Sequence, residues 1–415
     1  MKRVTRFSDF SERIKESEEL PVDTGLTKEQ IDFLNEYCSP RNAWSYDEKT
    51  GLVDIKGDFL ADGQGLSDLC EINFGKVVGK FLISRNRLES LKGCPSEVNG
   101  LFSCTGNNNL KSLEHGPKYT EGYYCRDCAL DSLEGSPNIV KGKFDFSNNF
   151  IESLVGSPEK VGSFVGRLNS LEDLKGLPLV IEGNIDLSQN NIKSLAGCVQ
   201  EIYGEFIMDN NNLISLEGGP KKIGESSKYS VYSNSDLKSL KGCPAEVGEF
   251  DASSCSLESL EGGPKIVNGD FRVGENKLKS LVGSPEVVRG KFICEYNDIK
   301  DLKGISLKLY GNLDLEGNPI ESLEGFDYKN PGFVGPDNIW LDDDMDESEK
   351  SLLRQIHRYC EQTGVNWEDG LMYLFKGMET EDRVRIYKRI KHLLSDEDVA
   401  DYKALEKYFN IKNLL

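Results

Sequence analysis

Gly142-Lys-Phe-Asp-Phe-Ser-Asn-Asn-Phe-Ile-Glu-Ser-Leu-Val-Gly-Ser-Pro158 decides the fold of this chain. Phe144 and Phe146 alternate with Lys143 and Asp145, the period of a short strand with one buried face. Asn149 follows at a fixed offset, then Ile151 and Leu154. Gly156 and Pro158 mark a turn, since Gly permits positive φ and Pro fixes its own. The unit recurs about every 21 residues, its Leu-x-Ser-Leu-x-Gly-x-Pro portion running from Leu66 and Leu88 to Ile299 and Ile320. A fixed period in this range predicts a solenoid, whose turns share one elongated core.

One position in each unit is polar yet flanked by core residues. Asn86, Asn108, Asn149, Asn169, Asn190, Asn211, Asn276, Asn297 and Asn318 fill it, and Cys128, Ser235 and Cys255 replace Asn elsewhere. A buried Asn can hydrogen-bond the backbone of adjacent turns, whose groups would otherwise be buried unsatisfied at roughly 1–3 kcal/mol each. Cys is tolerated there as a small, weak donor.

At these residues the chain resembles the leucine-rich-repeat family, whose pattern is L-x-x-L-x-L-x-x-N/C-x-L. Phe144, Phe146, Asn149 and Ile151 fall on its second half, as do Ile185, Leu187, Asn190 and Ile192, and Phe271, Val273, Asn276 and Leu278. The match runs from about Gly51 to Phe326. Two departures are visible: the first strand position favours Phe over Leu, and a Val-x-Gly lead-in with a Gly-x-Pro turn forms a dialect. That dialect is similar to leucine-rich-repeat proteins of large tailed bacteriophages. The resemblance implies an α/β solenoid of roughly 13 repeats, with a parallel sheet on the concave face and helical caps.

The remaining segments divide accordingly. Residues 1–50 read as a helical N-terminal cap: Phe10 and Ile14 sit at helical spacing, and Thr27 with Gln30 forms a capping box. Residues 51–330 are the solenoid, 331–345 an acidic linker, and 346–415 a small helical domain with apolar stripes such as Leu352, Leu353, Ile356 and Tyr359.

The formal net charge of −20 repels phosphate backbones, so direct nucleic-acid binding is not expected, and a basic partner surface is favoured. No apolar leader follows Met1, and no run approaches the roughly 20 apolar residues of a membrane span. Eleven cysteines are placed by repeat register: Cys94, Cys198 and Cys243 share a turn slot, and Cys128 and Cys255 share the Asn slot. This reads as reduced thiols in a cytoplasm.

Signals for chemistry are weak. His115, His357 and His392 share no metal-ligand spacing. Cys125-Arg-Asp-Cys128 spells C-x-x-C, but the repeat explains both residues, and no second pair completes a zinc site. No phosphate-binding loop occurs. The expectation is a non-enzymatic protein with no cofactor and no metal.

Strand positions without core duty form columns about 5 Å apart. Most are small or charged. Val165, Leu168, Ile207, Arg272, Glu275, Ile293 and Tyr296 stand out as candidate partner-contact residues, since aliphatic, aromatic and Arg side chains among polar ones resemble an interface centre. The expected function is a protein-interaction scaffold, phage-encoded, binding or inhibiting a host protein. A virion component, or an activity carried by the C-terminal helical domain, are the alternatives.

Overall fold

The structure is a computed structural model. It describes residues 25–306 and 308–320, together with positions 325 and 339–340. The expected helical domain at 346–415, the helix expected near Phe10, and His357 and His392 lie outside the described residues. Among the described residues no helix is long and apolar enough to cross a membrane.

The chain winds as a β-solenoid of about 12 turns with a period of ~21 residues. Each turn adds a short parallel strand to a 19-stranded sheet. Ile139–Asp145, Lys160–Val165, Ile185–Asp186 and Phe206–Ile207 succeed one another in register: Phe144 pairs with Phe164, Phe164 with Ile185, and Ile185 with Phe206. A 4-stranded parallel sheet, from Glu246–Val247 to Lys308–Leu309, lines a second side of the later turns. Ile339–Trp340, inside the stretch expected as a linker, pairs in parallel with Leu313–Asp314.

The solenoid differs from the expected α/β layering. Only one α-helix is found among the described residues, Lys28–Tyr37 (α1), and it lies before the first turn. The return path of each turn is loop, because the segment between Ile151 and Pro158 is too short for a helix of ordinary length and carries its own Gly and Pro.

The core is a spine of aromatic rings. Phe59, Phe81, Phe102, Tyr123, Phe144 and Phe164 are fully buried and stack with centroids 4.7–6.1 Å apart. The spacing follows from the strand separation of about 4.8 Å. Ile185 interrupts the rings, which resume at Phe206 and continue through Tyr229, Phe250, Phe271 and Phe292.

The open end of this spine needs a cover. Helix α1 supplies it, laying Phe33 and Tyr37 at 5.8 and 5.9 Å from Phe59. The expected capping box starts the helix: Gln30 N donates to Thr27 Oγ1 at 3.2 Å and Thr27 N to Gln30 Oε1 at 3.0 Å. An antiparallel pair, Trp44–Asp47 with Leu52–Ile55, completes the cap, so it is only partly helical.

The Asn ladder forms. Asn149 Nδ2 donates to Cys125 O in the preceding turn and to Phe146 O in its own, both at 2.9 Å, while its Oδ1 accepts from Leu130 N at 3.1 Å. Two positions need correction. The ladder residues are Asn107, which accepts from Leu88 N, and Asn234, which accepts from Leu213 N, in place of Asn108 and Ser235. In both turns one extra residue separates the Asn from the next core Leu.

That extra residue explains the cysteines. Leu110 N and Leu237 N turn back to Asn107 O (2.9 Å) and Asn234 O (3.0 Å). They therefore need no acceptor from the turn that follows. Those following turns are the two with Cys at the ladder, where Cys128 Sγ donates to Cys104 O and Cys255 Sγ to Val231 O, each at 3.4 Å. A weak donor with no acceptor duty suffices there.

Two of the spine rings carry hydroxyls. Tyr123 Oη and Tyr229 Oη are buried without a hydrogen-bond partner. Tyr123 Oη points at Gly116, where a Cβ would lie 2.7 Å away.

Asn149→Ala strips acceptor and donor from two turns and should cost at least about 2 kcal/mol, whereas Cys128→Ala should cost about 1 kcal/mol or less. Urea midpoints of the two variants against wild type measure the difference. Tyr123→Phe removes an unsatisfied buried hydroxyl and should stabilise the chain by about 1 kcal/mol in the same assay.

Candidate functional site

The strand pairing sorts the concave face into columns. Tyr124, Asp145, Val165, Asp186 and Ile207 occupy successive strands of the middle column, which continues through Ser230, Asp251, Arg272 and Ile293 to Asp314. Val165, Ile207, Arg272 and Ile293 therefore share one line. Leu168, Glu275 and Tyr296 share another, three residues further along each turn.

The candidates do not form a single patch. Val165 and Leu168 belong to one turn, with Ile207 two strands on. Arg272, Glu275, Ile293 and Tyr296 belong to two adjacent turns. Leu168 and Glu275 are five strands apart, about 24 Å at the usual strand spacing.

Exposure separates them further. Val165 and Ile293 are only 7% and 9% exposed, because neighbouring turns close over a short side chain at this pitch. Ile207 is half-buried. Arg272 is held by Asp270, Nη2 to Oδ2 at 2.5 Å. Glu275 is exposed and accepts from Ser254 Oγ at 2.7 Å. Leu168 and Tyr296 present the most surface, 48% and 55%. Both adopt left-handed backbone, at φ 54° and 52°. The turns from Arg85 to Gly317 adopt that conformation here, filled elsewhere by Asp127, Asn148, Asn210, Ser233 and Ser254, by Gly106 and Gly317, and by the longer polar Arg85, Gln189 and Glu275. Asn and Asp accept it with little strain, whereas a side chain like Leu or Tyr costs about 1 kcal/mol.

The acids of the middle column stand at strand positions read from sequence as free of core duty. Asp145 and Asp186 are instead buried. An Asp-x-Ser signature pins each one: Ser147 Oγ and N donate to Asp145 Oδ1 at 2.7 and 3.2 Å, and Ser188 does the same for Asp186. Each also has a cation. Lys143 Nζ lies 2.9 Å from Asp145, with Arg126 at 3.9 Å, and Arg167 Nε donates to Asp186 at 2.6 Å. The Asp-x-Ser spacing was readable in sequence. Lys143, two residues before Asp145, is equally local; Arg126 and Arg167 come from the preceding turn, and their approach depends on register.

Later turns are arranged differently. Asp209 accepts from Ser230 Oγ at 2.6 Å and Tyr232 N at 2.9 Å, yet burial holds its carboxyl above the usual range. Glu295 is also raised, first by burial and then by the negative charges of Asp314 and Glu275. Its Oε2 is buried and has no hydrogen-bond partner. The carboxyl lies over Gly274, where a Cβ would meet its Cδ at 2.6 Å. Glu295 was not among the residues expected from sequence, because its spacing marks it only as one of many surface acids.

The C-x-x-C pair is part of the scaffold. Cys125 is fully buried and its thiol is pushed well up by burial, whereas Cys128 is lowered, chiefly by a hydrogen bond from Cys104. The ten described cysteines are all free thiols. Among the described residues no group of His, Cys, Asp and Glu has the arrangement of a metal site.

The raised Glu295 gives a stability test. Its charged form is disfavoured in the native state, so stability rises as pH falls through the native pKa and levels below the unfolded one. Glu295→Gln should raise the melting temperature by about 1–3 °C at neutral pH, and the gain should vanish near pH 4, as followed by scanning calorimetry.

Comparison with known proteins gives little. No family model matches the chain, and no curated protein matches it. Among solved structures it is similar to YopM from Yersinia enterocolitica WA-314, at 20% sequence identity and a TM-score of 0.43. The match covers 64% of this chain and 61% of that one, so the chain spans less than two thirds of the structure it resembles.

Proposed function

We propose that the protein is a non-enzymatic interaction scaffold that binds another protein through its concave sheet. One observation carries the reading. Leu168 and Tyr296 are large and well exposed, and they are the aliphatic and aromatic residues in a column of left-handed positions otherwise filled by Gly, Asn, Asp, Ser and the longer polar Arg85, Gln189 and Glu275. Local stability does not favour them there, and contact with a partner supplies a reason for their presence. The left-handed column and the column two residues before the partly buried middle one are exposed or half-buried over many turns, which suits an extended contact.

The sequence dialect adds the context. We place the protein in a phage-infected bacterial cell, in the cytoplasm, occupying or inhibiting a host protein. The free thiols and the large negative charge fit that compartment and a soluble binder.

The test uses the pair Leu168→Asn and Tyr296→Asn. Asn suits left-handed backbone, so the melting temperature should hold or rise by a degree or two. The tagged double variant should lose the protein captured from host lysate by wild type, with affinity for the identified partner weakened at least about ten-fold. Unchanged capture and affinity would end the reading.

A further inference from the structure

The ladder slot holds cysteine twice, and the two sites differ in what lies one turn back. Cys128 and Cys255 are equally buried, each 8% exposed, and each thiol donates to a carbonyl of the preceding turn at 3.4 Å. Behind Cys255 that carbonyl belongs to Val231, an aliphatic core residue. Behind Cys128 it belongs to Cys104, a second free thiol. The array thus contains one ladder sulfur with a sulfur neighbour and one without.

The neighbour is in contact. Phe102 pairs with Tyr123, so Cys104 and Cys125 follow at matching core positions of adjacent turns. The Cys104 thiol reaches Tyr124 O at 3.7 Å and hydrogen-bonds Cys128, whereas Cys125 acts on Cys128 only through charge. Cys104 and Cys125 are fully enclosed, and Cys128 alone of the three keeps an exposed edge.

The same neighbour sets which sulfur ionises. The Cys104 hydrogen bond, helped by the N–H groups of Asn107 and Gly106, holds the Cys128 thiol below its usual range against the opposing effect of burial. Cys255 receives the equivalent N–H groups of Asn234 and Ser233, yet burial pushes it up to about 11. The thiolate is the nucleophilic form of cysteine.

We propose that Cys128 is a peroxide-reactive thiol and that its oxidation closes a disulfide to Cys104, tying two successive turns together. The Cys128 sulfur attacks one oxygen of a hydroperoxide and breaks the O–O bond. That oxygen stays on sulfur as a sulfenic acid, and the other leaves as hydroxide or alkoxide. The Cys104 thiol then gives up its proton, and its sulfur displaces the sulfenic oxygen, which departs as water. The two thiols lose two electrons in all, and one peroxide is reduced. The protein-binding reading uses neither cysteine, so the two stand or fall separately.

The experiment treats the native full chain with hydrogen peroxide, alkylates the remaining thiols after denaturation, and maps tryptic peptides by mass spectrometry. Cleavage after Arg126 separates Cys125 from Cys128. Peptide 93–111 should appear joined to peptide 127–141 with the loss of two hydrogens, and fragment ions should place the bond at Cys104 and not Cys94. At the same dose Cys128 should be consumed at least about ten-fold faster than Cys255. In Cys104→Ser the cross-link should be absent and dimedone should label Cys128 as a sulfenic acid. Melting curves check that this variant folds, and the wild-type map decides the matter if it does not. Equal oxidation of Cys128 and Cys255 would reduce the effect to general thiol exposure and overturn the proposal. A bond through Cys94 or Cys125, or a Cys128 that stays reduced or oxidises without cross-linking in wild type, would overturn it equally.

Discussion

From Asn86 to Asn318, in all but the two turns carrying Cys128 and Cys255, an Asn side-chain amide accepts a hydrogen bond from the preceding turn and donates to carbonyls of that turn and its own. The corner it occupies lies between core residues, and water does not reach it. Strand pairing satisfies the sheet side of each turn, and the aromatic spine fills the interior. Neither can pair the backbone groups of the corner. The ladder does, and it fixes the pitch at which rings stack and columns align. The concave face and its register follow from that pitch.

The same pitch explains what happens to side chains on the open face. Successive turns stand about 5 Å apart, so a short side chain in the middle column is enclosed by its neighbours above and below. Asp145 and Asp186 become interior carboxylates in this way and are met by Ser and by Lys or Arg. Only residues that are long, or placed at the left-handed position, project clear. A face that looks uniformly outward in a strand diagram is therefore part interior and part surface.

This also sets the limit of what could be read from sequence. The period, the strand, the ladder and the capping box at Thr27 and Gln30 are local patterns, and they were legible. The ladder residue was misplaced by one at Asn107 and Asn234, because spacing counted back from the next Leu cannot see an inserted residue within Asn107-Asn108-Asn109. An α/β class was expected from family resemblance, whereas the short Gly and Pro-bearing loops of the return path leave no length for helices. Exposure of Val165 and Ile293 was misjudged because enclosure arises between turns, which a linear pattern does not contain. Glu295 was passed over for the same reason, its hollow being made by Gly274 one turn earlier.

The two lengthened turns show how such an array accommodates an extra residue. An inserted residue would normally shift every later contact. After Asn107 and Asn234 the loop absorbs the surplus by folding its amide onto its own asparagine. The disturbance ends one turn later, in a relaxed requirement at a single site, which cysteine fills. An extra residue at this point thus leaves the register of the later strands intact.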